Sequence, residues 1–123
     1  MKRDMDLIRD LLLKIESDPL YDGTRWVPVN KPADLGISNH SPEEVGYHLT
    51  MLIEAGLIKG KSGVELMPVL NKLTWEGHEF LDDIRDQGIW NKTKERLKDI
   101  PSASIPVIVE IAKAEIKKRL GLP

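Results

Sequence analysis

The sequence predicts an α+β domain that is mostly helical, and three observations point to it. An amphipathic stretch opening at Ser41 stops at Gly56 and runs directly into apolar Leu57-Ile58. A lysine- and glycine-rich turn, Lys59-Gly60-Lys61-Ser62-Gly63, separates that strand material from more at residues 64–66 and 69–74. A further amphipathic stretch begins at Thr74, and two more follow Gly88 and Pro101. Helix, tight stop, hairpin and closing helix together describe a winged helix-turn-helix-like domain with a small β-wing and two C-terminal helices.

Taken in order, residues 3–16 place Met5, Ile8, Leu11, Leu12 and Ile15 at helical spacing, with Arg9, Asp10 and Lys14 outside. That period makes a helix with one apolar face. Asp18-Pro19 ends it, because the residue before a proline avoids the helical region. Pro19, Gly23, Pro28, Pro32 and Gly36 then forbid a long helix over residues 18–40. Residues 26–29, Trp-Val-Pro-Val, suit an edge strand, where a proline needs no ladder partner. Leu35-Gly36-Ile37 suits another. The short first helix of a helix-turn-helix has a possible start only at residues 32–35, and a looser loop ending at Ser41 is expected in its place.

From Ser41 the signals agree. The serine suits an N-cap, Pro42 the first turn, and Glu44 the fourth position of a Ser-x-x-Glu capping box. Val45, Leu49, Leu52 and Ile53 share a face, expected to pack on the first helix and on the segment closing at Phe80. Gly56 is the expected left-handed stop. After the wing, Pro68 breaks the strand material, and Thr74 caps a helix over residues 75–87 that turns Gly77, Phe80, Leu81 and Ile84 inward. Residues 89–100 form a helix with Trp90, Thr93, Leu97 and Ile100 on one side. A last helix runs from Ser104 to Leu120, with Pro106 in its first turn, Lys117, Lys118 and Arg119 at its negative end and Gly121 beyond. The expected division is a winged domain over residues 1–88 and a helical extension over residues 89–123 packed on the same core.

At 123 residues the chain supports one sizeable core. It has no cysteine, which excludes disulfides and thiolate metal sites and suits a reducing cytoplasm. No apolar run approaches a membrane helix, and the opening turns acidic too early for a secretory leader. The net charge of −2 is unevenly spread. Residues 1–88 hold 10 Lys/Arg against 16 Asp/Glu, a net of −6, and residues 89–123 hold 8 against 4, a net of +4. A DNA-binding half ordinarily brings positive charge to phosphates, and this half is acidic.

Several runs, read together, carry a resemblance. They are Met1-Lys2-Arg3-Asp4-Met5-Asp6-Leu7, Gly46-Tyr47-His48-Leu49 with Glu54-Ala55-Gly56-Leu57-Ile58, and Leu73-Thr74-Trp75-Glu76-Gly77-His78-Glu79-Phe80-Leu81-Asp82 followed by Arg85-Asp86 and Trp90-Asn91-Lys92. The chain resembles a family of short bacterial and phage proteins of unknown function with these signatures. The resemblance implies a bacterial or prophage setting and a winged-helix-like core. It implies no activity and no site residues.

Two functional readings stand open. In the first, the chain is a nucleic-acid-binding or regulatory module on double-stranded DNA. The helix after Ser41 would then present Glu43, Tyr47, Thr50, Met51 and Glu54 to the major groove, with Tyr47 and Thr50 as contacts. Lys59, Lys61 and Lys72 would meet phosphates from the wing, with Arg25 and Lys31 nearby. That helix face has no Lys or Arg to read guanine, and two glutamates that repel a duplex. In the second reading the same acidic face serves a protein partner or an assembly. Scattered solubilising lysines and a solvated helix face are the plainer account of both sets.

Neither reading invokes an enzyme, a cofactor or a metal. His40, His48 and His78 lack ligand spacing, and local hydrogen bonding or packing at the edge of the core explains them, with His48 beside the apolar stripe, where a half-buried histidine fits. Glu79, Asp82, Asp83 and Asp86 read as a charged helix exterior rather than paired acids. The last helix carries a wide apolar stripe, Ile105, Ile108, Val109, Ala112, Ile116 and Leu120, which either embraces the core or forms the interface of the expected homodimer.

Overall fold

A computed structural model describes residues 1–63, 67–100 and 103–123. The strand expectation for residues 64–66 and the break at Pro101 lie outside the described residues. Among the described residues the chain is α+β and mostly helical, with five α-helices and a small three-stranded antiparallel sheet. It divides into two compact units, Met1–His78 and Glu79–Pro123. The division falls within the third helix, whereas the sequence expectation placed it at Gly88.

In the first unit the order is α1 (Met5–Ser17), β1 (Val27–Pro28), a 3-10 turn (Pro32–Leu35), α2 (Pro42–Glu54), β2 (Ile58–Lys61) and β3 (Val69–Leu73). Helix α1 forms where its apolar period predicts, starting at Asp4, whose carboxylate accepts the Leu7 N–H. Leu7, Ile8, Leu11, Leu12 and Ile15 are buried. Leu7 replaces the expected Met5, which stays half-exposed, so the buried stripe sits slightly further round the helix.

Helix α2 packs on α1 and on β2. Val45, Leu49 and Leu52 are fully buried, and Ile53 is half-buried over the sheet, its side chain lying against Gly60. Full burial of a Val or Leu side chain, as at Val45, Leu49 and Leu52, contributes about 1.5–3 kcal/mol. The capping box forms only in part. Ser41 Oγ accepts the Glu44 N–H, but the Glu44 carboxylate turns to His40 instead of the cap backbone. Gly56 ends the helix in the left-handed region at φ 77°, as expected.

The strands run in the order β1-β3-β2, all antiparallel, with Val27 opposite Leu70 and Ile58 opposite Leu73. Strand β1 is an edge strand, which is how it accommodates Pro28. A bulge between Lys59 and Gly60 shifts the β2–β3 register. Lys59, Gly60 and Lys61 therefore belong to β2 itself and not to the hairpin tip. Leu35-Gly36-Ile37 forms no strand. Leu35 closes the 3-10 turn and Gly36 leaves it at φ 68°, a conformation incompatible with a ladder.

Helix α3 (Trp75–Ile84) starts at Thr74, whose hydroxyl accepts the Gly77 N–H and donates to the Gly56 carbonyl. It ends before the expected Gln87, and Gly77, Phe80, Leu81 and Ile84 are all buried as the pattern required. In the second unit α4 (Gln87–Leu97) packs on α5 (Ile105–Arg119). Trp90 and Thr93 are buried in α4, but Ile100 lies beyond the helix end and is exposed, contrary to its expected place on the inner face. Ser104 stands at the N-cap of α5 without a side-chain capping bond, and Gly121 follows the helix at φ 71°.

Candidate functional site

The first cluster is built by the bulged strand and its neighbour. Lys59 stands opposite Lys72 in the β2–β3 ladder, and all three of Lys59, Lys61 and Lys72 are exposed. Trp26, just before β1, keeps 43% of its surface in solvent. The Lys61 ammonium lies 4.5 Å from its ring centroid and the Lys59 ammonium 5.8 Å, within cation–π range. Exposed Arg25 adjoins the tryptophan in the chain.

The segment carrying Trp26 is fixed from below. Asn71 is buried, and its amide Nδ2 donates to the carbonyls of Gly23 at 3.1 Å and Arg25 at 3.0 Å. Gly23 adopts φ 92°, and the stem of Lys72 passes so near it that a Cβ there would meet Lys72 Cδ at 3.1 Å. Asp22 tightens the same loop by accepting from the Thr24 N–H and hydroxyl. Those hydrogen bonds, the hydroxyl's foremost, hold its carboxyl below the usual carboxylate range.

The sequence brought Lys59, Lys61, Lys72 and Arg25 together as loop and wing cations. It missed Trp26, which the strand pattern assigned to an edge strand. The signal that could have found it is an aromatic next to an arginine in a chain segment that must pair beside a lysine-bearing hairpin. Lys31 is exposed and precedes the 3-10 turn.

The outward face of α2 is as expected: Glu43, Tyr47, Thr50 and Glu54 are exposed, with Tyr47 at 40%, and Met51 is half-buried. It offers acceptors, one phenol and one small hydroxyl, and no cation.

A second cluster joins the start of α1 to the start of α2. His48 is fully buried, where the sequence reading placed it half-buried at the edge of the stripe. Its Nδ1–H donates to the Glu44 carbonyl at 2.8 Å, and its Nε2 accepts the Asp4 N–H at 2.8 Å. An acceptor Nε2 and a donor Nδ1 define the neutral ring. Above it His40 Nδ1 donates to Glu44 Oε1 at 2.7 Å, and ligand atoms of Asp4, His40 and Glu44 lie within 4.8 Å of one another. These are the described residues best placed to hold a cation. Their hydrogen bonds already give them other work: Asp4 caps α1, and Glu44 is a first-turn acid on α2, both stabilising at positive helix ends. His78 Nδ1 lies 3.8 Å from Glu16 Oε2 on the surface.

The carboxylates of the second unit are separate in role. Asp82 accepts from Arg85 at 2.9 Å. Asp86 caps α4 through the Ile89 N–H and meets Arg119 at 3.0 Å, and that backbone bond followed by the arginine lowers its carboxyl from the usual range. Burial pushes the Asp83 carboxyl up, opposed by Lys113 and reinforced by Glu79, Asp82 and Glu110. Of the proposed dimer stripe, Ile108 and Ala112 are buried within the single chain and are not available to a partner. Ile105, Val109 and Ile116 are half-buried and Leu120 is exposed. Glu115 shares the inner side of α5, buried against Arg96 at 3.2 Å.

A family model described as "Hypothetical protein (DUF2513)" matches residues 2–104. The chain belongs to that family. A relative from Haemophilus influenzae named "Uncharacterized protein" is 36% identical over 125 residues, covering 98% of this chain and 100% of the relative. No solved structure matches. The DUF2513 match takes in the Trp26 and His48 clusters and ends before α5. No described helix is long and apolar enough to cross a membrane.

Proposed function

We propose that this DUF2513 protein is a non-enzymatic, winged-helix-like module that binds nucleic acid through the Trp26 side of its small sheet. The order helix, strand, short helical turn, helix and hairpin, with the first strand paired to the hairpin's second, supports the winged-helix reading. The observation that carries the functional reading is an exposed indole with two lysine ammonium groups at 4.5 and 5.8 Å. Cations beside an aromatic face are the pairing that phosphates and bases together require. Residues 1–88 are acidic overall, so phosphates are contacted locally through Lys59 and Lys61 and not by a general positive field.

The test is a salt titration of labelled random duplex DNA. Three or four phosphate contacts predict that affinity falls about 40- to 150-fold between 50 and 200 mM salt. Joint replacement of Lys59 and Lys61 by glutamate should abolish most of that dependence. Absence of binding to duplex and to single-stranded DNA alike at the lowest salt would refute the proposal, and unchanged affinity of the double variant would refute the placement. A second reading rests on the α2 face, where exposed Glu43, Tyr47 and Glu54 suit a basic protein partner. Co-purification that is lost in a Glu43→Lys, Glu54→Lys variant, without any nucleic-acid binding, would favour it.

A further inference from the structure

We propose that the Trp26 platform selects single-stranded over duplex nucleic acid, stacking an unpaired base on the indole while Lys59 and Lys61 neutralise the adjoining phosphates. This rests on the nucleic-acid reading above and names its substrate class. A tryptophan face can meet the face of a base only where that base is free of its stack, and within a duplex the base faces are covered by their neighbours.

Three features of the molecule favour the single strand. The indole is exposed on a backbone that is held in place: Asn71 fixes the carbonyls of Gly23 and Arg25 in the loop leading to it, so little backbone order is lost when a base docks. Its cations hold their ammonium groups over the ring, 4.5 and 5.8 Å from the centroid, and a base that stacks on that face displaces these flexible ends toward its own phosphates. The helix that would read a duplex is unsuited to it. Glu43 and Glu54 face outward on α2 with no Lys or Arg among the exposed positions, so a major groove would meet like charge and no guanine reader. Stacking is tolerant of sequence because every base has a π-face, so weak base preference is expected.

The experiment compares a fluorescein-labelled oligothymidylate of about 16 nucleotides with a duplex of the same length, by anisotropy at fixed low salt. The full chain should bind the single strand about tenfold or more tightly than the duplex. Trp26→Leu should weaken single-strand binding roughly 5- to 100-fold and change duplex binding less than about twofold, while Trp26→Phe keeps most of the preference. Far-UV circular dichroism confirms that each variant is folded, and the preference of the unaltered chain needs no variant at all. Duplex binding as tight as single-strand binding would overturn this inference and leave the nucleic-acid reading standing. Equal losses on both substrates in Trp26→Leu would overturn it too. Binding to neither substrate would overturn both.

Discussion

Replacing Gly77 by alanine sets two effects of opposite sign against each other. Helix propensity alone makes Ala better than Gly by about 1 kcal/mol in a helix. The structure reverses that sign. A Cβ at Gly77 would fall on the Leu57 carbonyl oxygen, with the Leu57 carbonyl carbon 3.0 Å away, and both are backbone atoms that cannot rotate aside. Relief requires moving the start of α3 away from the end of α2 until the new carbon and that oxygen reach about 3.3 Å. Two hydrogen bonds span this gap, Thr74 N–H to the Leu57 carbonyl at 3.1 Å and the Thr74 hydroxyl to the Gly56 carbonyl at 2.6 Å. Losing or stretching them at about 1–3 kcal/mol each outweighs the propensity gain, for a net destabilisation of about 1–5 kcal/mol. Gly88→Ala is the control. There the nearest atom is Arg119 Nη2 at 2.6 Å, the far end of a long side chain whose exposed pair with Asp86 can re-form after a small shift, so the loss should stay within about 1 kcal/mol. Urea unfolding followed by circular dichroism reads both variants. A Gly77→Ala midpoint equal to or above the parent's, at unchanged slope, would refute the close approach of α3 to Leu57.

The remaining expectations concern polar groups. His48→Leu removes two hydrogen bonds and should cost about 2 kcal/mol, while His48→Gln, whose amide oxygen can still accept the Asp4 N–H, should recover about half. A melting temperature unmoved by His48→Leu would show that the clamp contributes nothing. Asn71→Asp turns a double donor into a pure acceptor facing the Gly23 and Arg25 carbonyls. It should destabilise by about 2–4 kcal/mol, and parent-like stability in urea would show that the amide does not donate as assigned. Asp86 should titrate below the usual carboxylate range and Asp83 above it, as carbon NMR of the carboxyls will read. For Asp86 the lowered folded value means that its stabilisation is complete above the ordinary range and is lost as the pH falls through the folded value. Asp83 acts in the opposite sense, since the folded chain takes up its proton more readily and acidification through its raised value favours folding. Asp86→Asn should therefore flatten the acid limb of the stability curve, and an unchanged limb would contradict the lowering of this carboxyl by its bond to the Ile89 N–H and, second, by Arg119.

The helices were legible because they rest on local chemistry. Ser41, Gly56 and, as the cap of α3, Thr74 act within a few residues of themselves, and those roles can be read from spacing alone. The stripes of α1 and α2 were legible for the same reason, with Leu7 for Met5 marking the small rotation that only packing decides. What local pattern could not reach were pairings across long separations. Nothing in the run Trp26-Val27 announces that it lies beside Lys59 and Lys61, because β1 reaches them through β3, more than forty residues on. His48 was legible as a histidine on an apolar face, but its partner Asp4 is 44 positions away. Glu44 looked like half of a capping box because serine and glutamate had the right spacing. A competing acceptor role toward His40 took its side chain. Ile100 failed for a different reason: the helical period continued on paper after the helix had ended.

Strand β2 lies at the margin of the sheet, and two of its four residues are lysines. Such a margin offers unpaired backbone groups to any extended segment that meets it, and charge is the usual guard against that encounter. Lys59 and Lys61 put that charge on the margin. Swapping them for small apolar residues would invite strand addition between copies and turbid samples, a result easily mistaken for lost affinity. Acidic replacements remove the attraction to phosphate and leave the guard standing.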